Sequence, residues 1–360
     1  MLIRSAIDFN IDVAILDPNP EAPCQKLATE FEVGDLLDFD TVYNFGKKHD
    51  LITIEIESVN TKALQKLADE GKKVYPQAHI IEMIQDKRIQ KQFYKENNIP
   101  TADFILTDNA AEVAANVDFL PAVNKLGKGG YDGKGVQILR TKEDLPKAFD
   151  GLGLLEELVD FDKEISVIVA RNEKGEISAF PSVELVFHPE ANLVEYLFAP
   201  AQIDEALAQK AEEIAIGLTQ KLEVVGLLAV EMFVTKDGQI LVNEIAPRTH
   251  NSGHQSIESN MTSQFEQQLR AILNWPLGDT SLIIPSAMVN LLGEEGHTGE
   301  AVCAGLEETM DISGAHIHLY GKKITKPYRK MGHVTIRDQD VERLKQKIDQ
   351  IKATLKFVTA

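Results

Sequence analysis

Hydrophobic positions in the first part of the chain follow two alternating patterns. The runs at 13–17 and 51–56 are dominated by apolar residues and are typical of buried parallel strands, whereas the stretches around 21–30, 38–48 and 60–70 carry apolar residues at helical spacing. Because strands that alternate with helices are typical of a doubly wound α/β unit, we predict such a unit here.

From residue 79 onward the pattern changes to a long helix followed by many short strands. Helices are predicted over 79–97 and over 203–222, where Ala, Leu, Ile and Glu recur at helical spacing. Between these helices, strands are predicted at 122–126, 136–140, 154–159, 164–170 and 177–188. Two further strands, at 227–234 and 239–246, are joined by an Asp-Gly turn and predict a hairpin.

The last part of the chain, from about residue 285, has short strands and a charged helix predicted over 339–355, which indicate a small closing subdomain. Three domains are therefore predicted for this α/β (α+β) chain: a doubly wound domain over 1–78, a central domain over 79–290 and a C-terminal β-rich subdomain over 291–360. The central domain would contain a small lid at about 100–157 and a larger part at about 158–290.

Composition narrows the function classes. The 360 residues carry a formal net charge of −19, which argues against a nucleic-acid surface because phosphate backbones require clustered Lys and Arg. No apolar run reaches the ~18 residues that span a bilayer, and the N-terminus lacks the cleavage site of a signal peptide. Cys24 and Cys303 lie far apart and indicate neither a disulfide framework nor a zinc site. We therefore predict a cytoplasmic enzyme of small molecules, without a nucleic-acid or membrane partner.

Two glutamates interrupt the apolar strands of the predicted hairpin. Glu231 lies in the first strand, and Glu244, preceded by Asn243, lies in the second. Two carboxylates on one side of a hairpin suit Mg²⁺, which takes oxygen ligands and usually bridges to substrate phosphates. The alternative is a pair of solvated glutamates on an edge strand.

A glycine-rich segment, GKGGYDGKG at 127–135, lies between two predicted strands. Its glycines allow backbone N–H groups to approach anionic oxygens, and Lys128 and Lys134 add positive charge. The segment matches neither a Walker A loop nor the G-x-G-x-x-G of dinucleotide folds. The alternative is a flexible turn.

Two further segments concentrate polar side chains. EIAPRTHNSGH at 244–254 follows the second glutamate directly; Arg248 offers a planar fork for phosphate or carboxylate, and His250 can donate or accept near neutral pH. The segment at 320–333, YGKKITKPYRKMGH, is basic in an otherwise acidic chain, with Lys322 and Arg329 as candidates for closing over an anionic substrate. The alternatives are a solvated loop and a solubilising patch.

Taken together, these motifs resemble the ATP-grasp family, and within it the synthases of 5-(carboxyamino)imidazole ribonucleotide in purine synthesis. The resemblance extends from about residue 2 to residue 355. The matching segments are TIEIESV (53–59), MIQDK (83–87), PAVNKLGKGGYDGKG (121–135), EELVDFDKEISV (156–167), AVEMF (229–233), NEIAPRTHNSGH (243–254) and the C-terminal YGKK and RKMGH.

The resemblance implies a three-domain ATP-grasp fold with ATP and Mg²⁺, as two ions, bound between the central subdomains. The residues that it implies for ATP are Lys87, Lys125, Gly129, Gly130, Gly133, Glu156, Glu157, Val159, Glu164, His188, Asn243 and Glu244, and those for metal are Glu231 and Glu244. Those that it implies for aminoimidazole ribonucleotide are Glu57 (or Glu55), Tyr131, Asp132, Lys134, Arg248, His250, Asn251, Lys322 and Arg329. Asp132, Lys134, Arg248 and His250 would be catalytic, and the chain would form a homodimer.

The implied reaction joins bicarbonate to the amine of aminoimidazole ribonucleotide, with ATP hydrolysed to ADP and phosphate through carboxyphosphate. The chain departs from the family pattern at three places. Ala246 stands where many ATP-grasp enzymes have Asn, Lys134 where Arg is common, and a GGGQLG-type strand and turn do not precede the first helix. From the third departure we expect the native gene product to begin upstream of Met1.

Two other functions stay open from the sequence. One is the formate-dependent glycinamide ribonucleotide transformylase, another ATP-grasp purine enzyme, which would share ATP and Mg²⁺ but use formate. The other is a non-catalytic nucleotide-binding module, which would bind ATP without substrate-stimulated turnover.

Overall fold

The computed structural model of the chain describes residues 1–129, 135–189, 191 and 193–360. The predicted site residues Gly130, Tyr131, Asp132, Gly133 and Lys134 lie outside the described residues.

The N-terminal part of the chain packs helices around two short parallel sheets. β1 pairs with β2 and β3 pairs with β4, so the predicted parallel pairing is present as two separate pairs. Leu64 and Leu67 of α3 are fully buried at its centre. The elements are α1 (Leu2–Asp8), β1 (Ala14–Asp17), β2 (Glu30–Val33), α2 (Phe39–Gly46), β3 (Leu51–Ile52), α3 (Thr61–Asp69) and β4 (Lys73–Val74).

Two predictions for this part are wrong. The stretch 21–30 forms turns that lead into β2 rather than a helix, because the carboxylate of Asp17 and the amide of Asn19 accept backbone N–H groups two residues further on, at 2.7 and 3.0 Å. The strand predicted over 51–56 is limited to Leu51–Ile52. Beyond Ile52 the chain leaves the sheet and carries its acidic side chains toward the central cleft.

Residues 78–96 form two helices, α4 (Ala78–Ile84) and α5 (Lys87–Glu96), rather than the single helix predicted over 79–97. Asp86 interrupts the helix because its carboxylate accepts the backbone N–H of Arg88 and caps α5. The break places Lys87 in the first turn of α5.

The predicted lid is a four-stranded antiparallel sheet with the order β5-β8-β6-β7. Its core contains Val113, Leu139 and Leu155. Gly153 opposes β6 so closely that a Cβ atom there would lie 2.4 Å from the carbonyl oxygen of Lys125, which requires glycine. The elements are β5 (Phe104–Thr107), α6 (Ala110–Ala115), β6 (Ala122–Leu126), β7 (Val136–Leu139) and β8 (Gly153–Glu157), with 3₁₀ turns at Val117–Phe119 and Lys142–Lys147.

The largest sheet has nine strands in the order β14-β13-β9-β11-β12-β15-β19-β17, with β10 beside β9. The predicted hairpin is confirmed as β13 and β14, and the strand predicted over 177–188 is divided into β10 and β11. Helix α7 packs on β9 and β13 through residues such as Leu218. The elements are β9 (Phe161–Arg171), β10 (Ile177–Ala179), β11 (Val183–Phe187), β12 (Val194–Ala199), α7 (Glu205–Leu222), β13 (Gly226–Thr235), β14 (Ile240–Ala246), α8 (Ser256–Ser259), α9 (Gln264–Ile272) and β15 (Ser286–Leu292), with a 3₁₀ turn at Asn251–Gly253.

The C-terminal segment continues this sheet across the predicted boundary at 290/291, because β17 and β19 extend it beyond β15. A three-stranded sheet, β18-β16-β20, and helix α11 complete the segment. No helix in the described part of the chain is long and apolar enough to cross a membrane. The elements are β16 (Gly299–Ala304), α10 (Leu306–Met310), β17 (Ala315–Leu319), β18 (Ile324–Thr325), β19 (Lys330–Arg337), α11 (Val341–Thr354) and β20 (Lys356–Thr359).

Candidate active site

Glu231 and Glu244 are direct cross-strand partners on β13 and β14. Burial, followed by the charges of Glu244 and Glu164, raises the pKa of Glu231 well above its usual range. Burial and Glu244 also raise the pKa of Glu164 to about 8. A divalent cation would relieve this concentration of carboxylates.

The residues fit Mg²⁺ bound together with phosphates rather than a cage of protein ligands. Among the described residues, no group of three or more His, Cys, Asp and Glu side chains is arranged to hold a metal ion. Mg²⁺ is commonly held by one or two carboxylates with substrate phosphates and water as the remaining ligands. Glu231 and Glu244 have the chemistry to supply two such carboxylates.

Two lysines from different elements reach neighbouring side chains of β14. Lys87 Nζ, on α5, lies 3.4 Å from Glu244 Oε2, and Lys125 Nζ, on β6, lies 3.2 Å from Asn243 Oδ1. Loss of hydration opposes ionisation of Glu244. The positive charges of Lys87 and Lys125 outweigh this effect, so the pKa of Glu244 is lowered. The lid sheet, α5 and the hairpin therefore converge on one cleft that is suited to anionic oxygens.

Glu156 on β8 is buried between two lysines. Lys125 Nζ lies 2.5 Å from its Oε2, and Lys91 of α5 donates to its Oε1. Lys91 also donates to Thr101, and burial lowers the pKa of Lys91 to about 8 despite the opposing effect of Glu156. Sequence reasoning missed Lys91; its signal is the position four residues after Lys87, one helical turn further along α5. Of the neighbouring predicted residues, Glu157 is the exposed last residue of β8, and Val159 is half-buried on the connection to β9.

The loop after β14 contributes a cation and an imidazole. Arg248 Nε lies 2.8 Å from Glu57 Oε1, and His250 Nε2 lies 3.6 Å from Glu231 Oε1. Burial, with Arg248 and Lys330 nearby, lowers the pKa of His250 to about 3, so its ring is neutral.

Glu55 is a second acidic side chain beside this cation. Burial raises its pKa, and the cations Arg248 and Lys322 oppose the rise. Arg248 and Lys322 therefore both lie near Glu55.

The remaining described residues that were expected to bind ATP or the ribonucleotide have other local contacts. Asn251 exchanges two amide hydrogen bonds of 2.9 Å with Asn290, so both polar atoms of its side chain have a protein partner. His188 accepts the Ala191 N–H at 3.3 Å. Arg329 donates to the carbonyl oxygen of Ile324 at 2.6 Å within its own loop. Gly129 has a φ of 82°, a conformation that favours glycine.

Comparison with known proteins identifies the family. A model of the ATP-grasp domain matches residues 92–265, one of the ribonucleotide synthetase pre-ATP-grasp domain matches 1–85, and one of the phosphoribosylaminoimidazole carboxylase C-terminal domain matches 286–347. The N5-carboxyaminoimidazole ribonucleotide synthase of Bacillus subtilis is 36% identical over 355 residues, which cover 97% of this chain and 91% of that protein. The chain belongs to the N5-carboxyaminoimidazole ribonucleotide synthase family.

Solved structures of this synthase family agree. The N5-carboxyaminoimidazole ribonucleotide synthetase from Thermotoga maritima superposes with a TM-score of 0.93 at 44% identity, covering 100% of this chain and 96% of that one. The Aspergillus clavatus synthase, in complex with ADP and 5-aminoimidazole ribonucleotide, has a TM-score of 0.88 at 30% identity, covering 98% and 94%. The predicted ATP-grasp family, fold class and ligase class are confirmed.

Proposed function

We propose that this chain carboxylates 5-aminoimidazole ribonucleotide with bicarbonate, at the cost of ATP, to give N5-carboxyaminoimidazole ribonucleotide, ADP and phosphate. Family membership supports the reaction, and one observation in the structure supports its site: Glu231 and Glu244 are cross-strand partners, with Lys87 beside Glu244 and Lys125 beside Asn243. Carboxylates and ammonium groups in this arrangement suit a nucleotide triphosphate with its cation.

The phosphate end of the nucleotide would contact Lys87 and Lys125, while Glu231 and Glu244 would hold Mg²⁺. The metal ion, when bound, neutralises charge on the transferred phosphoryl group. The two lysines keep ATP oriented and stabilise the negative charge that develops on its oxygens. Catalysis of phosphoryl transfer is mainly positioning of this kind.

Bicarbonate is a poor electrophile, so its activation precedes attack by the amine. Attack of a bicarbonate oxygen on the γ-phosphorus releases ADP and gives carboxyphosphate, whose carboxyl carbon the exocyclic amine of the ribonucleotide then attacks as phosphate leaves. Arg248, next to Glu57, and Lys322 bind the anionic ribonucleotide on the other side of the cleft.

Two further properties are part of the proposal. The chain forms a homodimer, which light scattering after size-exclusion chromatography measures directly. It works in the cytoplasm, where the free thiols of Cys24 and Cys303 are kept reduced.

A coupled ADP-release assay tests the reaction. We expect release that requires both aminoimidazole ribonucleotide and bicarbonate, with formate and glycinamide ribonucleotide giving no stimulation. Stimulation by formate and glycinamide ribonucleotide would instead identify the activity as that of the formate-dependent transformylase. ATP binding without release under either condition would leave only a nucleotide-binding module.

A further inference from the structure

The ring nitrogens of His250 have different roles that the local backbone sets. The backbone N–H of Ser252 points at Nδ1 from 3.4 Å, and the Ser252 hydroxyl lies 2.8 Å from the same nitrogen. A backbone N–H can only donate, so Nδ1 is the acceptor and carries no proton. In a neutral imidazole the proton is then on Nε2, which faces Glu231.

A second buried serine fixes the orientation of the first. Ser166 Oγ lies 2.9 Å from Ser252 Oγ, and both side chains are buried. Because the Ser252 hydroxyl gives its proton to His250, it accepts one from Ser166. The direction of donation therefore runs from Ser166 through Ser252 to His250 Nδ1.

The strand register places this chain of hydrogen bonds beside the carboxylates of Glu231 and Glu244. Ser166 on β9 is the cross-strand partner of Glu231 on β13, and Glu231 is the partner of Glu244 on β14. Cross-strand partners project to the same face of a sheet. Ser252, hydrogen-bonded to Ser166, therefore lies beside Nδ1 of His250, and Glu231 lies beside Nε2. All of these side chains lie above the same face of the sheet.

The turn that carries His250 has little freedom to move. The Gln264 amide accepts the backbone N–H of His250 at 2.9 Å and donates to its carbonyl oxygen at 2.7 Å. A Cβ atom on Gly253 would lie 2.4 Å from Ile168 and 2.7 Å from Gln264, so the turn is packed too closely for a side chain there. Asn251 ties the same turn to β15 through Asn290.

We propose that Ser166 and Ser252 are positioning residues that hold His250 as the Nε2–H tautomer, so that it donates a hydrogen bond to an anionic oxygen of the substrate. With a proton on Nε2 and no free lone pair there, His250 does not remove the proton of the attacking amine through this nitrogen. The inference rests on the proposed function for the identity of that oxygen, the carboxyl group being transferred. The assignment of the His250 tautomer does not depend on the proposed function.

Long-range ¹H–¹⁵N spectra of the full-length protein labelled with ¹⁵N-histidine test the tautomer directly. His250→Gln assigns the resonance. We expect a bare Nδ1 and a protonated Nε2 in the wild type. In Ser252→Ala only the longer backbone N–H contact to Nδ1, at 3.4 Å, remains, so we expect a second form with a protonated Nδ1 beside the first. A protonated Nδ1 in the wild type would overturn the proposal, whether or not the protein shows synthase activity.

Kinetics supply the second readout. Loss of one buried hydrogen bond of this kind costs roughly tenfold in rate, so we expect Ser252→Ala to lower kcat about tenfold with the KM for ATP unchanged, and Ser166→Ala to lower it less. Ser252→Thr, which retains the hydroxyl, should recover part of the rate.

The matched control is Ser286→Ala, a buried serine on β15 whose hydroxyl has no hydrogen-bond partner among the described residues. It should keep the wild-type kcat and histidine spectrum. If Ser252→Ala and Ser166→Ala behave like Ser286→Ala in both readouts, the serines do not position His250.

Discussion

Arg248 Nε lies 2.8 Å from Glu57 Oε1, and this ion pair joins the loop after β14 to the segment after β3. Each side chain is about a quarter exposed, at 23%. Glu57 therefore holds the guanidinium beside the cleft while leaving part of its donor fork open. This geometry suits recognition of an anionic substrate that enters between the N-terminal part and the main sheet.

Replacing Arg248 by Lys keeps the charge but removes the planar fork. We expect the KM for aminoimidazole ribonucleotide to rise roughly tenfold, since a lost hydrogen bond to a charged group is worth about 1.5 kcal/mol. The KM for ATP should stay the same in steady-state ADP-release assays. Arg270→Lys is the control, because Arg270 pairs with Glu266 on the surface of α9. A higher KM for ATP with an unchanged KM for the ribonucleotide would move the loop to the nucleotide site.

Changing Glu231 or Glu244 to Gln retains the size of each side chain and removes one negative charge from the pair. We expect turnover to be lost in both variants while the circular dichroism spectrum is retained, because Mg²⁺ binding requires ionised carboxylates. Glu266→Gln on α9 is the control. Near-normal turnover of Glu244→Gln at low Mg²⁺ concentration would contradict the metal assignment.

The hairpin that carries Glu231 and Glu244 could be predicted because two local signals agree. Glu231 and Glu244 each interrupt an apolar strand, and the Asp237-Gly238 turn predicts the hairpin that joins the two strands. A register shift between Glu231 and Met232, which no sequence signal predicts, sets the two glutamates opposite one another. Neither signal depends on distant parts of the chain. The same holds for α7, whose predicted span differs from the observed Glu205–Leu222 by only two residues at its start.

The role of Lys91 could not be predicted from its helical spacing to Lys87 alone. A lysine on a helix is usually solvated, and only the fold brings Glu156 of β8 against this face of α5. The helix break at Asp86 is likewise not predicted, since an Asp within a helical pattern can be an ordinary helical residue or the N-cap of a new helix. Tertiary packing decides both cases.

The ion pairs of Glu156 make a stability prediction. Glu156→Gln leaves the buried ammonium groups of Lys91 and Lys125 without their counter-ion, so we expect a loss of about 3–5 kcal/mol in the free energy of unfolding. Lys91→Met should cost less, because the pair between Lys125 and Glu156 survives. Urea unfolding measures both.

The exposed neighbour Glu157 supplies the control. Glu157→Gln should change the unfolding free energy by no more than about 0.5 kcal/mol, as is usual for surface substitutions. If Glu156→Gln is no less stable than Glu157→Gln, the lysines are not held by this carboxylate.

Three histidines lie in ring contact: His333 is buried, and His254 and His318 are half-buried. His333 stacks on His318 with ring centroids 4.4 Å apart, and its ring centroid lies 5.1 Å from that of His254. The Tyr320 hydroxyl is hydrogen-bonded to Nδ1 of His333 at 3.0 Å. Burial, with neighbouring histidines adding to it, lowers the pKa of both His254 and His333 well below the usual range. Both rings are neutral in the folded protein.

This lowered pKa predicts a loss of stability in acid. As the pH falls below the unfolded value of about 6.5, the unfolded chain takes up protons that the folded chain does not, so each histidine costs up to about 1.4 kcal/mol per pH unit. The raised pKa values of Glu231 and Glu164 act in the opposite direction, but equally in the wild type and the variant. We therefore expect the Tm of His333→Gln to rise relative to that of the wild type as the pH falls from 6.5 to 5, whatever its Tm at pH 7. His79→Gln, at an exposed position on α4, should keep the wild-type slope. Parallel curves of Tm against pH for His333→Gln and the wild type would show that protonation of His333 is not linked to unfolding.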